Sequence, residues 1–283
     1  MGMAYGINNR SGKPSFKESR VIVETALASG INAFDTAPAY GDSESILGEC
    51  LGESRGRAVV VSKIAAVDWN LDPDSIVGKI RENLDTSLVR LRIPAIPVYL
   101  FHHFSDAGRQ NRLVLEEIRS LKKEGLIGKI GVSTYTPEEA EAALSIPELE
   151  AIQVPFHLLD KRLLANGFLG RARKRRFFVF SRSVFLQGLF FRESIPPDLK
   201  SFEPLQRKLA EICRMTGIGM AELALRFALS VDAIDSVLVG VETTEQLGEN
   251  VRIWRKGKLP DAIFRQITEL GHAPDPVNNP ILW

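Results

Sequence analysis

The chain is poor in cysteine, in histidine and in net charge. Two cysteines, Cys50 and Cys213, stand in 283 residues. That is too few for a disulfide framework, so a reducing, cytoplasmic setting is expected. Lysine and arginine number 36 against 35 aspartates and glutamates, a net charge of +1. No field of one sign would draw the chain to nucleic acid or to a membrane surface. The local exception, Arg171–Arg176 (RARKRR), reads as a solvated helix end with cations at the negative pole of the helix dipole. No uncharged apolar stretch approaches the ~20 residues that span a bilayer. The start, MGMAYGINNRSGK, has no apolar core of signal-peptide length. There is no H-E-x-x-H and no cysteine pair, so no metal is expected. Nor does G-x-G-x-x-G follow the first strand, which removes the usual sign of a doubly wound nucleotide-binding sheet.

What is present is alternation. Ile31–Asp35, Ala58–Ser62, Val98–His102, Lys129–Ser133, Ala151–Val154, Phe177–Ser181 and Ser236–Gly240 are short, nearly continuous apolar runs. Such runs are expected of strands buried on both faces. Between them lie helix candidates at Lys17–Ser29, Asp72–Leu91, Arg109–Glu124, Pro137–Ser145, Leu205–Thr216 and Met220–Ser230. Ile76, Ile80, Leu84 and Leu88 form one stripe. Thr136 followed by Pro137, Glu138 and Glu139 predicts a helix start. Strand-then-helix repetition implies a parallel sheet. With no linker or low-complexity segment, residues 1–283 are expected to form a single domain.

Such alternation weakly favours a parallel barrel, and barrel enzymes gather their site at the C-terminal ends of the strands. There the chain places Asp35, with Tyr40 in the loop behind it, then Lys63, then His102 beside His103. Each alone is unremarkable: a loop-organising acid, a packing phenol, a solvated amine, a core imidazole. Together, on successive strand ends, they suit the reduction of a carbonyl by hydride. A phenol, whose ordinary pKa is about 10, can give up its proton when an ammonium stabilises the phenolate and a carboxylate holds that ammonium. A neutral imidazole can donate a hydrogen bond to the carbonyl oxygen.

The run Gly30-Ile31-Asn32-Ala33-Phe34-Asp35-Thr36-Ala37-Pro38-Ala39-Tyr40-Gly41, followed by Ser43-Glu44 and Leu47-Gly48, resembles the signature of the aldo-keto reductase family. Val60-Val61-Ser62-Lys63 and Tyr99-Leu100-Phe101-His102 are similar to its lysine and histidine strands. The likeness, running from about Gly30 to Asn250, implies an α/β (β/α)8 TIM barrel. It also implies an NAD(P)-dependent oxidoreductase using NADP(H) or NAD(H) on a small aldehyde, ketone or sugar, or oxidising the alcohol. Tyr40 would be the proton donor, Lys63 and Asp35 would tune it, and His102 would orient the carbonyl. Gly131-Val132-Ser133-Thr134 resembles the segment that holds the nicotinamide carboxamide, with Thr134 in place of an asparagine. Gln153 matches the family glutamine. Arg182, followed by Ser183, occupies the position whose ring stacks on the nicotinamide, and a planar guanidinium can also stack. Gly240, Gln246, Glu249 and Asn250 match the adenosine segment. The cations that grip a 2′-phosphate are missing there and Glu242 is present, so dual or NADH-leaning use stands on equal terms with strict NADPH use.

Two other readings come from different classes. One is a nicotinamide-cofactor-binding regulatory subunit with little turnover, against which the intact Asp35, Tyr40, Lys63 and His102 set argues. The other is a lyase with Lys63 as Schiff base, which Asp35 disfavours by keeping the amine charged. Seven strands are readable where a closed barrel needs eight. The eighth would fall within Met1–Ile7, so a first strand missing or shortened is expected, with backbone groups left unpaired between the strands at Ile31 and Ser236.

Overall fold

The computed structural model describes residues 2–3, 6–7, 9 and 12–278. The elements run α1 (Phe16–Ala28), β1 (Ala33–Asp35), α2 (Ser43–Leu51), β2 (Val59–Lys63), α3 (Pro73–Leu91), β3 (Ile96–Phe101), α4 (Ser105–Gly108) and α5 (Leu113–Lys123). They continue β4 (Ile127–Ser133), α6 (Pro137–Leu144), β5 (Ala151–Pro155), α7 (Arg162–Ala165), α8 (Phe168–Lys174), β6 (Phe178–Arg182) and α9 (Glu203–Thr216). Last come α10 (Met220–Leu229), β7 (Ser236–Val237), α11 (Thr244–Arg255) and α12 (Asp261–Glu269).

Helix starts follow local chemistry. Ser15 caps α1 in a reciprocal box with Glu18, Asp72 accepts from the Ser75 N–H ahead of Pro73, and Thr136 does the same for Glu139 ahead of Pro137. The stripe on α3 drifts from the expected Leu88 to Ser87 and Leu91, because 3.6 residues per turn do not sustain a four-residue spacing. The basic run ends α8: Arg171 pairs with Glu141, and Arg175 donates to the carbonyls of Leu144 and Ile146 at the end of α6.

All seven strands are parallel and pair in chain order, β1 to β7, forming a nearly closed barrel with helices between the strands, the (β/α)8 arrangement. The two end strands are the shortest. β7 covers Ser236–Val237 where Ser236–Gly240 was expected, although the Leu238 N–H still reaches the Ser181 carbonyl. Among the described residues each end strand has one neighbour, so none of them offers a ladder to the backbone groups on its outer side. Among the described residues no strand precedes α1; Met1, Ala4 and Tyr5 of the expected first strand lie outside them. The outer layer closes where the sheet does not. Ile22 and Ala26 of α1 pack against Leu247 and Val251 of α11, with Phe34 and Val241 at the edge.

Inside the barrel Val61, Val98, Leu100, Ala151 and Phe180 form a plug from four strands. Gly131 leaves room for it: a Cβ there would stand 2.6 Å from Leu100 Cδ2 and 2.8 Å from Ala151 Cβ. The alternate residues Val60, Tyr99, Phe101, Val132, Ile152 and Val179 join the larger core beneath the helices. Side chains alternate with a period of two. Lys63, Gln153 and Arg182, two positions beyond plug residues, therefore return to the interior one layer higher. The strand register carries Asp35, level with Val61, and Ser133, level with Gln153, to the same side. Below this polar layer the barrel is apolar and filled.

Candidate active site

Lys63 anchors the polar layer. Its side chain is 1% exposed, and its ammonium lies 2.8 Å from both carboxylate oxygens of Asp35 and 3.0 Å from the Thr36 carbonyl oxygen. Three acceptors thus surround a group with three hydrogens. Burial acts to lower the Lys63 pKa, but the Asp35 carboxylate and the Tyr40 phenol outweigh it. The amine is held above its ordinary value and stays charged. Asp35 in turn accepts from Gln153 Nε2 at 2.8 Å, which ties β1 to β5 across the barrel.

Tyr40 reaches this pair from the β1–α2 loop. The ammonium lies 4.8 Å from the centre of its ring. The loop is held from beneath. The Glu44 carboxylate, 1% exposed, accepts from Ser62 Oγ at 2.7 Å and Ser87 Oγ at 3.2 Å, and Ser43 Oγ accepts from the Thr36 hydroxyl at 2.9 Å. Gly48 brings α2 against the end of α3, where a Cβ would fall 2.3 Å from the Arg90 carbonyl oxygen. The signature residues around Tyr40 are therefore largely packing and loop-holding groups.

His102, one residue past the end of β3, meets the Tyr40 ring edge-on, with centroids 6.0 Å apart at 86°. Burial first, then the charges of Lys63 and His103, push its pKa down to about 4, so the imidazole is neutral at pH 7. His103 stacks on it at 5.2 Å and on Tyr135 at 6.3 Å. The Arg182 guanidinium carbon sits 4.5 Å over the other partner, the Tyr135 ring. A row His102–His103–Tyr135–Arg182 thus borders the mouth. Neither Tyr135 nor the stacking of His103 was anticipated, because no local pattern marks a contact between the loops after β3 and β4.

The remaining expected positions divide into two groups. Ser133 and Gln153 are 2% exposed and lie in the polar layer, whereas Thr134 is fully buried and uses its carbonyl to accept from Arg182 Nη2 at 3.0 Å. Ser183, at φ 61°, accepts from Arg182 Nη1 at 3.2 Å. Gly240 precedes α11, whose start is built from Thr243 accepting from the Gln246 N–H and from Gln246 Oε1 accepting from the Glu242 N–H. Gln246 and Glu249 are exposed and Asn250 is buried. The basic residues of that helix, Arg252 and Arg255, are in its last turn and Glu245 is in its first. Among the described residues no group of three or more His, Cys, Asp or Glu side chains could hold a metal ion, and no helix is long and apolar enough to cross a membrane.

A parallel barrel with an acid, a phenol, an amine and an imidazole at one rim defines a class of enzyme, and the chain's relatives agree with it. Residues 2–272 match the Aldo/keto reductase family, to which the chain belongs. It is 32% identical over 260 residues to "Uncharacterized oxidoreductase Rv2298" of Mycobacterium tuberculosis, covering 82% of this chain and 76% of that one. It is 29% identical over 287 residues to L-galactose dehydrogenase of Arabidopsis thaliana, covering 92% and 85%. The solved structure of aldo-keto reductase AKR11C1 from Bacillus halodurans, in its holo form, superposes with a TM-score of 0.75 at 22% identity, over 97% of each chain. The protein is an oxidoreductase of the aldo-keto reductase type.

Proposed function

We propose that the protein reduces a small carbonyl compound, or oxidises the corresponding alcohol, with a nicotinamide cofactor and with Tyr40 as the proton donor. The observation that carries this reading is the buried Lys63–Asp35 pair under Tyr40, next to a neutral His102.

The donor set suits such a cofactor. Ser133, Gln153 and Ser183 offer hydroxyl and amide groups on adjacent strand ends, Thr134 backs them, and Arg182 offers a flat cation. Gly240, Gln246, Glu249 and Asn250 would meet the adenosine end. With no cation in the first turn of α11, nothing there favours a 2′-phosphate, so use of both NADH and NADPH is proposed. The cofactor would supply hydride to the carbonyl carbon.

The chain's own groups do the rest. Neutral His102 donates a hydrogen bond to the carbonyl oxygen and fixes its direction. As negative charge gathers on that oxygen, the Tyr40 hydroxyl hands over its proton. The Lys63 ammonium stabilises the charge left on the phenol oxygen, without reorganisation, because Asp35 and Thr36 already hold it in place. Gln153 keeps Asp35 turned toward Lys63. The same charged pair counts against a Schiff-base lyase, which needs an uncharged amine.

The test compares wild type with Tyr40→Phe on a panel of aldehydes with NADPH and NADH. Loss of turnover with cofactor binding intact supports the reading. Equal turnover removes Tyr40 from the role, and tight cofactor binding with negligible turnover in wild type favours a regulatory subunit.

A further inference from the structure

Arg182 lacks a carboxylate partner, as do Arg55 and Arg192, which donate to backbone carbonyls, but among the described arginines it is the one whose buried Nε–H has no partner. Arg162 faces Asp160 at 2.8 Å and Arg226 faces Glu222 at 2.7 Å, while Arg175 spends its charge on carbonyls at the negative end of α6. Arg182 has none of these. Its contacts among the described residues are the Thr134 carbonyl oxygen, the Ser183 hydroxyl and the face of Tyr135, and its buried Nε–H has no partner. The nearby Glu139 carboxylate is engaged by the Tyr135 N–H at 2.7 Å. A half-buried cation without a counter-charge is costly unless something else supplies one.

We propose that Arg182 is a specificity-determining residue that binds a carboxylate or phosphate group carried by the carbonyl substrate. This rests on the reading of the site given above. The guanidinium has five N–H donors in a planar fork. Ser183 and Thr134 take one hydrogen from Nη1 and one from Nη2, which leaves the Nε–H and one hydrogen on each Nη for an anion. Two parallel N–H donors match the spacing of two oxygens on a carboxylate or phosphate. Tyr135 holds the fork flat, so little conformational freedom is lost on binding. The guanidinium lies over Tyr135, which stacks on His103, which in turn stacks on His102, so Arg182 and His102 border one mouth and a substrate there can face both. Anion binding uses the edge of the guanidinium and ring stacking uses its face, so the two uses do not compete. Lys63, by contrast, already has its counter-charge in Asp35 at 2.8 Å.

The experiment measures kcat/KM for 4-carboxybenzaldehyde and its neutral methyl ester, and for glyceraldehyde 3-phosphate and glyceraldehyde, in wild type, Arg182→Gln and Arg182→Lys. The informative quantity is the anionic-to-neutral ratio. Both members of a pair meet the same cofactor and the same Tyr40, so damage to either cancels. We expect the ratio to fall at least tenfold in Arg182→Gln, about 1.4 kcal/mol, and less in Arg182→Lys, which keeps the charge without the fork. The pair with the larger fall tells carboxylate from phosphate. An unchanged ratio in both pairs overturns the proposal while leaving the carbonyl reductase reading standing. If no aldehyde is reduced, that reading fails, and calorimetric titration with benzoate and with inorganic phosphate decides this one. Binding of either anion weakened at least tenfold in Arg182→Gln supports it, and equal binding of both in the two proteins refutes it.

Discussion

Asp35→Asn removes one charge from the buried pair while keeping the size of the side chain and an oxygen that can accept from Lys63. At 2.8 Å the charges attract by roughly 6 kcal/mol for an effective dielectric of about 20. Desolvation offsets part of this, and removing one partner of a buried pair costs roughly 3–5 kcal/mol net. Asp35 is 20% exposed, so the lower end of that range, about 3 kcal/mol, is expected. At ~2–4 °C per kcal/mol for a chain of this size, the melting temperature should fall by about 6–12 °C. The pH dependence identifies the cause. In wild type the Lys63 pKa is raised above its unfolded value. Its stabilisation is therefore full below about pH 10.4 and lost as pH climbs through the folded value. In the variant burial, the largest influence, is opposed by the Tyr40 phenol alone, and that pKa falls. The penalty is then full at neutral pH and vanishes above about pH 10.4, where the unfolded chain also releases its proton. The gap between the two proteins must narrow from both sides. Urea unfolding at pH 7.5 and pH 10.5 measures it. A gap under about 1 kcal/mol at pH 7.5, or one that does not shrink at pH 10.5, would refute the reasoning.

Tyr40→Phe should lower kcat by about 10²–10⁴-fold, the usual worth of a positioned acid, while fluorescence titration shows cofactor affinity preserved; a fall in affinity that matches the loss of rate would point to a binding defect instead. Dissociation constants for NADPH and NADH should differ by less than roughly 100-fold, about 2.7 kcal/mol; a wider preference for NADPH would reveal a phosphate-binding cation outside α11. The His102 pKa is lowered to about 4 and that of the buried His157 likewise, both chiefly by burial. Stability should therefore decline as pH falls from about 6.5, where unfolded histidine begins to bind protons, toward those values, and an NMR titration of His102 with its midpoint near the ordinary value would contradict this.

The sequence by itself determined where the seven strands lie, that they run parallel, and which four residues stand at their ends, because these follow from local runs and their alternation with helices; the pairing order came with the structure. A strand buried on both faces must be apolar, and the polar residue that ends it is visible at once. Asp35, Lys63 and His102 stand where such runs stop, and the structure brings all three to one rim of the barrel around Tyr40. Some local signals went unread: Ile263 and Ile267 on α12 have helical spacing. Helix α2 offered no stripe to read, since seven of its nine residues are buried on more than one side, polar Ser43 and Glu44 among them. Tertiary structure alone decided the rest. Asp35 and Gln153 are 118 positions apart, and only closure of the barrel makes one hold the other. The packing of α1 on α11 joins helices more than 200 residues apart in the outer layer, beyond the reach of any window of sequence. The setting of Arg182 was likewise undecidable beforehand. Whether an arginine at a strand end meets solvent, a carboxylate or an aromatic face depends on which loops fold over it, and here they bring Tyr135 and two neutral oxygens but, among the described residues, no counter-charge.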